Sequence, residues 1–158
     1  MKKLIYVNLL VLAVVAIAFA PSATTTVTES RTITGTAQGI FPAGTTLGAV
    51  SIDGLQLGTG VIIDPSSSAV GDFHALLIGR TLLGQPQQIT VEGKVSEGAN
   101  GEIGTPGFSG IAILDFGDGT PLRKGIPFRV AVAPGSLMLT IGSTKLPATL
   151  TEGSISIE

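Results

Sequence analysis

Apolar and polar positions alternate with a period of two along most of this chain, in short runs broken by glycine, proline, aspartate and serine. The pattern predicts extended segments near Thr45–Ile52, Leu55–Ile63, Phe73–Leu83, Gln88–Ser96, Phe108–Phe116, Pro121–Val132, Leu137–Ile141, Lys145–Leu150 and Ser154–Ile157. Helical periodicity is weak. The 22 glycines and nine prolines weigh further against helices, at about 1 and 3 kcal/mol per residue relative to alanine. The predicted fold is therefore all-β, a single antiparallel β-sandwich or flattened barrel of about eight to ten strands. Asp53-Gly54 lies between two apolar runs and predicts one hairpin; Gly142-Ser143-Thr144 predicts another, so that the C-terminal third reads as an antiparallel meander.

The strongest signal is Phe108–Val132, two apolar runs meeting at Gly117-Asp118-Gly119. A three-residue loop there, with Asp115, Gly117, Asp118 and Gly119 as turn formers, pairs Leu114 with Leu122, Ala112 with Lys124 and Phe108 with Phe128. One face then carries Phe108, Ala112, Leu114, Phe116, Leu122, Ile126 and Phe128. The other carries Ser109, Asp115, Pro121, Arg123, Pro127 and Arg129, with Asp115 free to meet Arg123 or Arg129. Lys124 falls among the apolar residues between two prolines, which points to a bulge or an edge, because proline cannot donate to a ladder.

Residues 1–22 have the make-up of a secretory signal peptide: Lys2-Lys3, an apolar run through Phe19, and a small-residue exit after Ala20 or Ser22. The alternative is a membrane anchor formed by residues 4–20, at the short end of the length a spanning helix needs. Residues 23–36 form a threonine-rich segment entering a first strand, and residues 37–158 the all-β domain. The expected location is secreted, periplasmic or on the cell surface.

Removing the leader takes Lys2 and Lys3 from nine basic residues, leaving seven against eleven acidic ones and a formal balance of −4. No basic run stands out in the sequence, which argues against nucleic acid, and against an anionic membrane, as partner. The absence of cysteine excludes thiolate chemistry, cysteine-held zinc and disulfides, so stability must come from apolar burial. Tyr6 and Phe19 lie in the leader and there is no tryptophan, so Phe41, Phe73, Phe108, Phe116 and Phe128 are the remaining aromatics, most of them expected in the core. Sugar platforms and protein hot spots draw on Trp and Tyr, and their absence disfavours stacking-type carbohydrate binding.

Little catalytic chemistry is available. Asp72 and the single histidine, His74, are two apart and share a face of an extended strand, where an acid can orient an imidazole. No serine sits in a Gly-x-Ser-x-Gly setting, one histidine cannot form a two-histidine metal site, and no calcium-loop spacing occurs. No cofactor or metal is expected. Long loops are the usual place for binding residues; Asp64–Asp72 and Glu97–Gly107 are the longest, and the candidate ligand-binding residues are Asp72, His74, Arg80, Glu97, Glu102 and Lys124.

The stretch Asp115-Phe116-Gly117-Asp118-Gly119-Thr120 is similar to the Asp-Phe-Gly-Asp-Gly signature of polycystic-kidney-disease type domains, extracellular adhesive sandwiches. The similarity covers six residues, and this chain has neither the tryptophan before that signature nor the Pro-x-His-x-Tyr segment after it. The match is one of turn chemistry. The expected function is an exported, non-catalytic domain with a structural, adhesive or binding role at the cell envelope or outside the cell. A small-molecule-binding barrel with cyclase- or isomerase-like activity is the alternative, and a surface subunit assembling through edge strands is the third reading.

Overall fold

The computed structural model describes residues 29–100 and 105–158, so the leader and Glu102 lie outside the described residues. Nine strands follow in order: β1 (Arg31–Ile40), β2 (Thr46–Leu47), β3 (Val50–Ile63), β4 (Ser68–Arg80), β5 (Pro86–Asn100), β6 (Pro106–Asp115), β7 (Arg123–Ala133), β8 (Ser136–Ile141) and β9 (Thr144–Ile157). From β3 to β9 each pairs antiparallel with the next. β1 then pairs with β3 on one side and β9 on the other, closing an eight-stranded barrel, while the two-residue β2 lies outside it on β3. Of the two predicted architectures the sandwich is thus excluded. Alternation alone could not decide this, because a side chain turned to a second sheet and one turned to a barrel axis leave the same period of two.

The rim bearing the β4–β5, β6–β7 and β8–β9 turns is the top of the barrel, and the opposite rim is the bottom. Inward positions are apolar throughout, and among the described residues no polar or charged side chain is buried. All five expected phenylalanines are buried. Phe73, Phe108 and Phe128 form one cluster, with ring centroids 5.4 Å apart for the stacked Phe73–Phe128 pair and 5.8 and 6.3 Å for the tilted and edge-on pairs. An eight-stranded barrel is just wide enough for its side chains to fill it or for one small ligand to sit inside. Here the rings take that space. Gly93 faces inward beneath them, and a Cβ there would lie 2.7 Å from the Phe128 ring, so only glycine fits.

The Phe108–Val132 hairpin has a different register from the predicted one. Phe108 pairs with Val130 and Gly110 with Phe128, a shift of two residues. This even shift, which holds as far as Ala112–Ile126, keeps those side chains on their predicted face; beyond the bulge Leu114 meets Arg123, an odd shift of one. The loop runs from Phe116 to Leu122 rather than over three residues, since Asp115 and Asp118 turn back on their own loop and Pro121 has no N–H to give β6. The bulge suspected at Lys124 is present. The register slips between Ala112 and Leu114 opposite Lys124-Gly125, where Gly125 adopts φ +73°, a value glycine reaches without the Cβ penalty of other residues. The bulge turns Lys124 to solvent, and Leu122, expected inside, is half exposed.

Two expected turns are corrected. Asp53-Gly54 makes no hairpin; it is a bulge against β4 that lets β3 run unbroken from Val50 to Ile63. The Asp64–Asp72 loop shrinks to a tight turn at Asp64–Ser67, with β4 starting at Ser68. In both places small polar residues that read as loop are accommodated by a barrel wall, whose strong coiling favours bulges and glycines. The segments Lys145–Leu150 and Ser154–Ile157 likewise fuse into β9, with a register break opposite Gln38/Gly39.

Candidate functional site

Asp72 and His74 do share a face, the outer wall of β4. Asp72 sits opposite Lys94 of β5 and Gly60 of β3; His74 sits opposite Glu92 and Gly58. The Lys94 ammonium donates to the Asp72 carboxylate. That contact, helped more weakly by the nearby charges of Lys94 and His74, holds the Asp72 carboxyl below its ordinary value. Both partners are exposed, so the pair contributes little to stability.

Around them the wall is shallowly concave. One depression of about 350 Å3 is lined by Thr36, Gln56, Gly58, His74, Leu76 and Thr90, with Leu57 and Ala75 beneath. Its neighbour, about 290 Å3, shares Thr36 and Gln56 and adds Gln38 and Glu152. The hollow exists because Gly58 and Gly60 leave β3 without side chains: a Cβ at Gly60 would meet nothing within 4 Å, and one at Gly58 only the Thr36 methyl at 3.8 Å. The rows Gln38–Gln56–Leu76–Thr90 and Thr36–Gly58–His74–Glu92 follow from strand register. The exposed lining of the His74 depression is mostly apolar and that of its Gln38–Glu152 neighbour mostly polar, so the two together offer an extended ligand apolar contact beside hydrogen-bonding groups.

The one shifted carboxylate of this surface, Asp72, is not set up as an acid near neutrality. A carboxylic acid that donates a proton near neutrality needs its pKa raised by burial or a like charge. The carboxyl shifts found here go the other way. Asp64 is lowered by the Ser66 hydroxyl, which donates at 2.6 Å, and by the Ser66 and Ser68 amides at 2.8 and 3.0 Å. Asp118 is lowered by the Thr120 hydroxyl and amide at 2.6 and 2.9 Å. Asp115 accepts from the Gly117 amide at 2.8 Å instead of meeting an arginine, while Arg123 lies 4.5 Å above the Phe116 ring. No three metal-ligating side chains come together among the described residues.

The other predicted residues do not join this surface. Arg80 ends β4 at the top, Lys124 projects from the bulge at the top, and Glu97 lies towards the bottom of β5. Sequence reasoning missed Thr36, Gln38, Gln56, Thr90, Glu92, Lys94 and Glu152. Their outward positions follow from alternation, but the β1–β3 and β1–β9 pairings that bring Thr36, Gln38 and Glu152 beside His74's strand have no local signal.

A third concavity, about 480 Å3, opens at the bottom between the β7–β8 turn at Pro134-Gly135, Pro106 and the end of β9. It arises because β8 pairs with β9 only over Thr144–Thr149. Beyond that, among the described residues, the edge of β9 away from β1 carries no strand.

A closed, up-and-down antiparallel barrel with an apolar interior and a glycine-floored outer hollow is the class that fold and surface define. Comparison with family models, with curated proteins and with solved structures gives no match for this chain.

Proposed function

We propose that this chain is an exported, non-catalytic β-barrel domain with a structural, adhesive or binding role at the cell envelope or outside the cell, and that its binding surface is the outer wall of β1, β3, β4 and β5. The observation that carries this reading is the segregation of chemistry: every described ionisable side chain is exposed, and the axis is occupied by apolar side chains. A barrel acting on a small molecule holds polar groups inside, where desolvation strengthens them. The His74 hollow instead faces water. The test is a thermal-shift and titration screen of the purified protein against apolar small molecules and soluble polar polymers. The reading expects His74→Ala and Gly58→Val to weaken a polymer interaction without lowering the melting temperature. Saturable stabilisation by an apolar small molecule, abolished by enlarging an inward residue, would establish the small-molecule barrel in its place.

The edge of β9 that faces away from β1, along Thr151–Ile157, supports a second reading, assembly by strand addition. An exposed edge is a ready template for a partner strand. This reading expects concentration-dependent oligomers that Ile157→Pro, which removes an N–H directed away from β1, weakens; a monomer in sizing chromatography at high concentration contradicts it.

A further inference from the structure

The β4–β5 turn is made of residues a hairpin does not need. Tight turns favour Gly, Asn, Asp, Pro and Ser for their backbone conformations, yet this one carries Leu82 and Leu83 at its tip. Their exposures, 87% and 88%, are the highest among the exposed large apolar side chains. They are held out by a hydrogen-bonded turn. The Thr81 amide donates to the Gln85 carbonyl and the Gly84 amide to the Thr81 carbonyl, both at 2.9 Å, and the Gln85 amide reaches the Thr81 hydroxyl at 3.3 Å. The predicted strand over Phe73–Leu83 therefore stops at Arg80, and the two leucines project beyond the rim. Next to them is the β6–β7 loop with half-exposed Leu122; the Gln87 side-chain amide donates to the Phe116 carbonyl and ties the two together.

The same rim gathers cations that the sequence scatters. Arg80 ends β4, Arg123 and Lys124 open β7, and Lys145 opens β9, all exposed. Three carboxylates share the rim, Asp53, Asp115 and Asp118, the last two engaged by amides of their own loop. The rest of the described barrel holds three cations, Arg31, Lys94 and Arg129, against seven acids. Charge is thus polarised along the barrel, with the basic end coinciding with the apolar tip. Strand direction creates this cluster, which is why reading basic runs along the chain argued against an anionic membrane.

We propose that the top of the barrel docks on an anionic lipid surface, Leu82 and Leu83 entering the interfacial layer while Arg80, Arg123, Lys124 and Lys145 meet the headgroups. Apolar side chains supply the insertion and basic ones the attraction, a combination that neither provides alone. Charge complementarity favours this occupant over a soluble protein. The proposal names an envelope partner for the reading above and takes only its cellular setting from it; a test on purified protein and vesicles succeeds or fails independently of export.

Because the chain has no cysteine, a single environment-sensitive dye can be placed on Gln85→Cys beside the tip, with Ser66→Cys at the bottom as control. Vesicles of phosphatidylcholine with phosphatidylglycerol should shift the Gln85→Cys emission to the blue and leave the Ser66→Cys dye unchanged. Phosphatidylcholine alone should give a much smaller shift, and about 0.5 M salt should reduce the response to anionic vesicles. Leu82→Ser with Leu83→Ser should weaken vesicle affinity by about tenfold or more at an unchanged melting temperature. The local readout separates tip insertion from any membrane affinity of residues 4–20. Equal shifts at both positions, indifference to the serine substitutions, no difference between the two vesicle types, or a shift without vesicles that grows with protein concentration would each overturn the proposal, the last by showing self-association through the tip.

Discussion

Gly93 and Gly58 sit in neighbouring parts of the same wall and do opposite things. Gly93 faces inward, where a missing side chain makes room for the Phe128 ring; Gly58 faces outward, where it leaves a hollow beside His74. The inner wall is a closely fitted apolar surface in which each absence is filled by a neighbour. The outer surface tolerates vacancies and carries every titratable side chain of the described residues. The contrast separates residues that hold the barrel together from residues free to meet a partner, although they alternate along the same strands.

The sharpest attempt to break that contrast is Phe73→Ala. It removes the ring that contacts both other phenylalanines and should cost about 3–5 kcal/mol in denaturant unfolding, whereas His74→Ala, one residue on and facing out, should leave the midpoint within about 0.5 kcal/mol. Gly93→Ala comes next. Its methyl would press on Phe128, and a loss of about 1–3 kcal/mol is expected from overpacking. At the bulge, Gly125→Ala should cost about 1 kcal/mol through its positive φ. Gly58→Ala is the opposite case: with open space above it and an ordinary strand backbone, it should be neutral or stabilise by about 0.5–1 kcal/mol. If Gly93→Ala and Gly58→Ala gave equal melting temperatures, the distinction between the walls would be lost.

The smallest effect concerns pH. Hydrogen bonds from Lys94, Ser66 and Thr120 hold the Asp72, Asp64 and Asp118 carboxyls below the ordinary carboxylate value in the folded state. Groups of this kind favour the folded state above their unfolded pKa, and the contribution disappears as pH falls through the lowered folded values. Melting temperature should therefore be insensitive to these groups from neutrality down to about pH 5 and decline below about pH 4. Because all three carboxyls are exposed, Asp72→Asn should change that decline only slightly.

Much of the inner wall was legible in the sequence, because burial acts on every second residue. Most of Phe41, Phe73, Phe108, Phe116 and Phe128 are expected in the core and all five lie there, and even a hairpin register off by two residues leaves the faces of Phe108, Ala112 and Phe128 correct. What was not legible was closure. The pairing of Ile33 with Ile157 depends on twist and shear accumulated over the intervening strands. The hollow inherits that limit: Asp72 and His74 could be placed side by side from spacing alone, but Thr36 and Glu152 reach the same surface only through β1's two pairings. Leu82-Leu83 looked like the end of a strand because its composition is that of a strand, and only the turn geometry shows it as a tip.

The β1–β9 seam also sets the order of folding. From β3 to β9 every pairing joins strands consecutive in sequence, and β1 reaches β3 across one short connection, so these contacts require little loop closure. Ile33 and Ile157, 124 positions apart, meet only after the rest of the sheet has curled, and such distant contacts slow the final step. Until then β1 and β9 are both open edges. The slow step expected is therefore the joining of the two ends of the sheet, and a chain cyclised from β9 to β1 without a new cut should fold faster than the open chain.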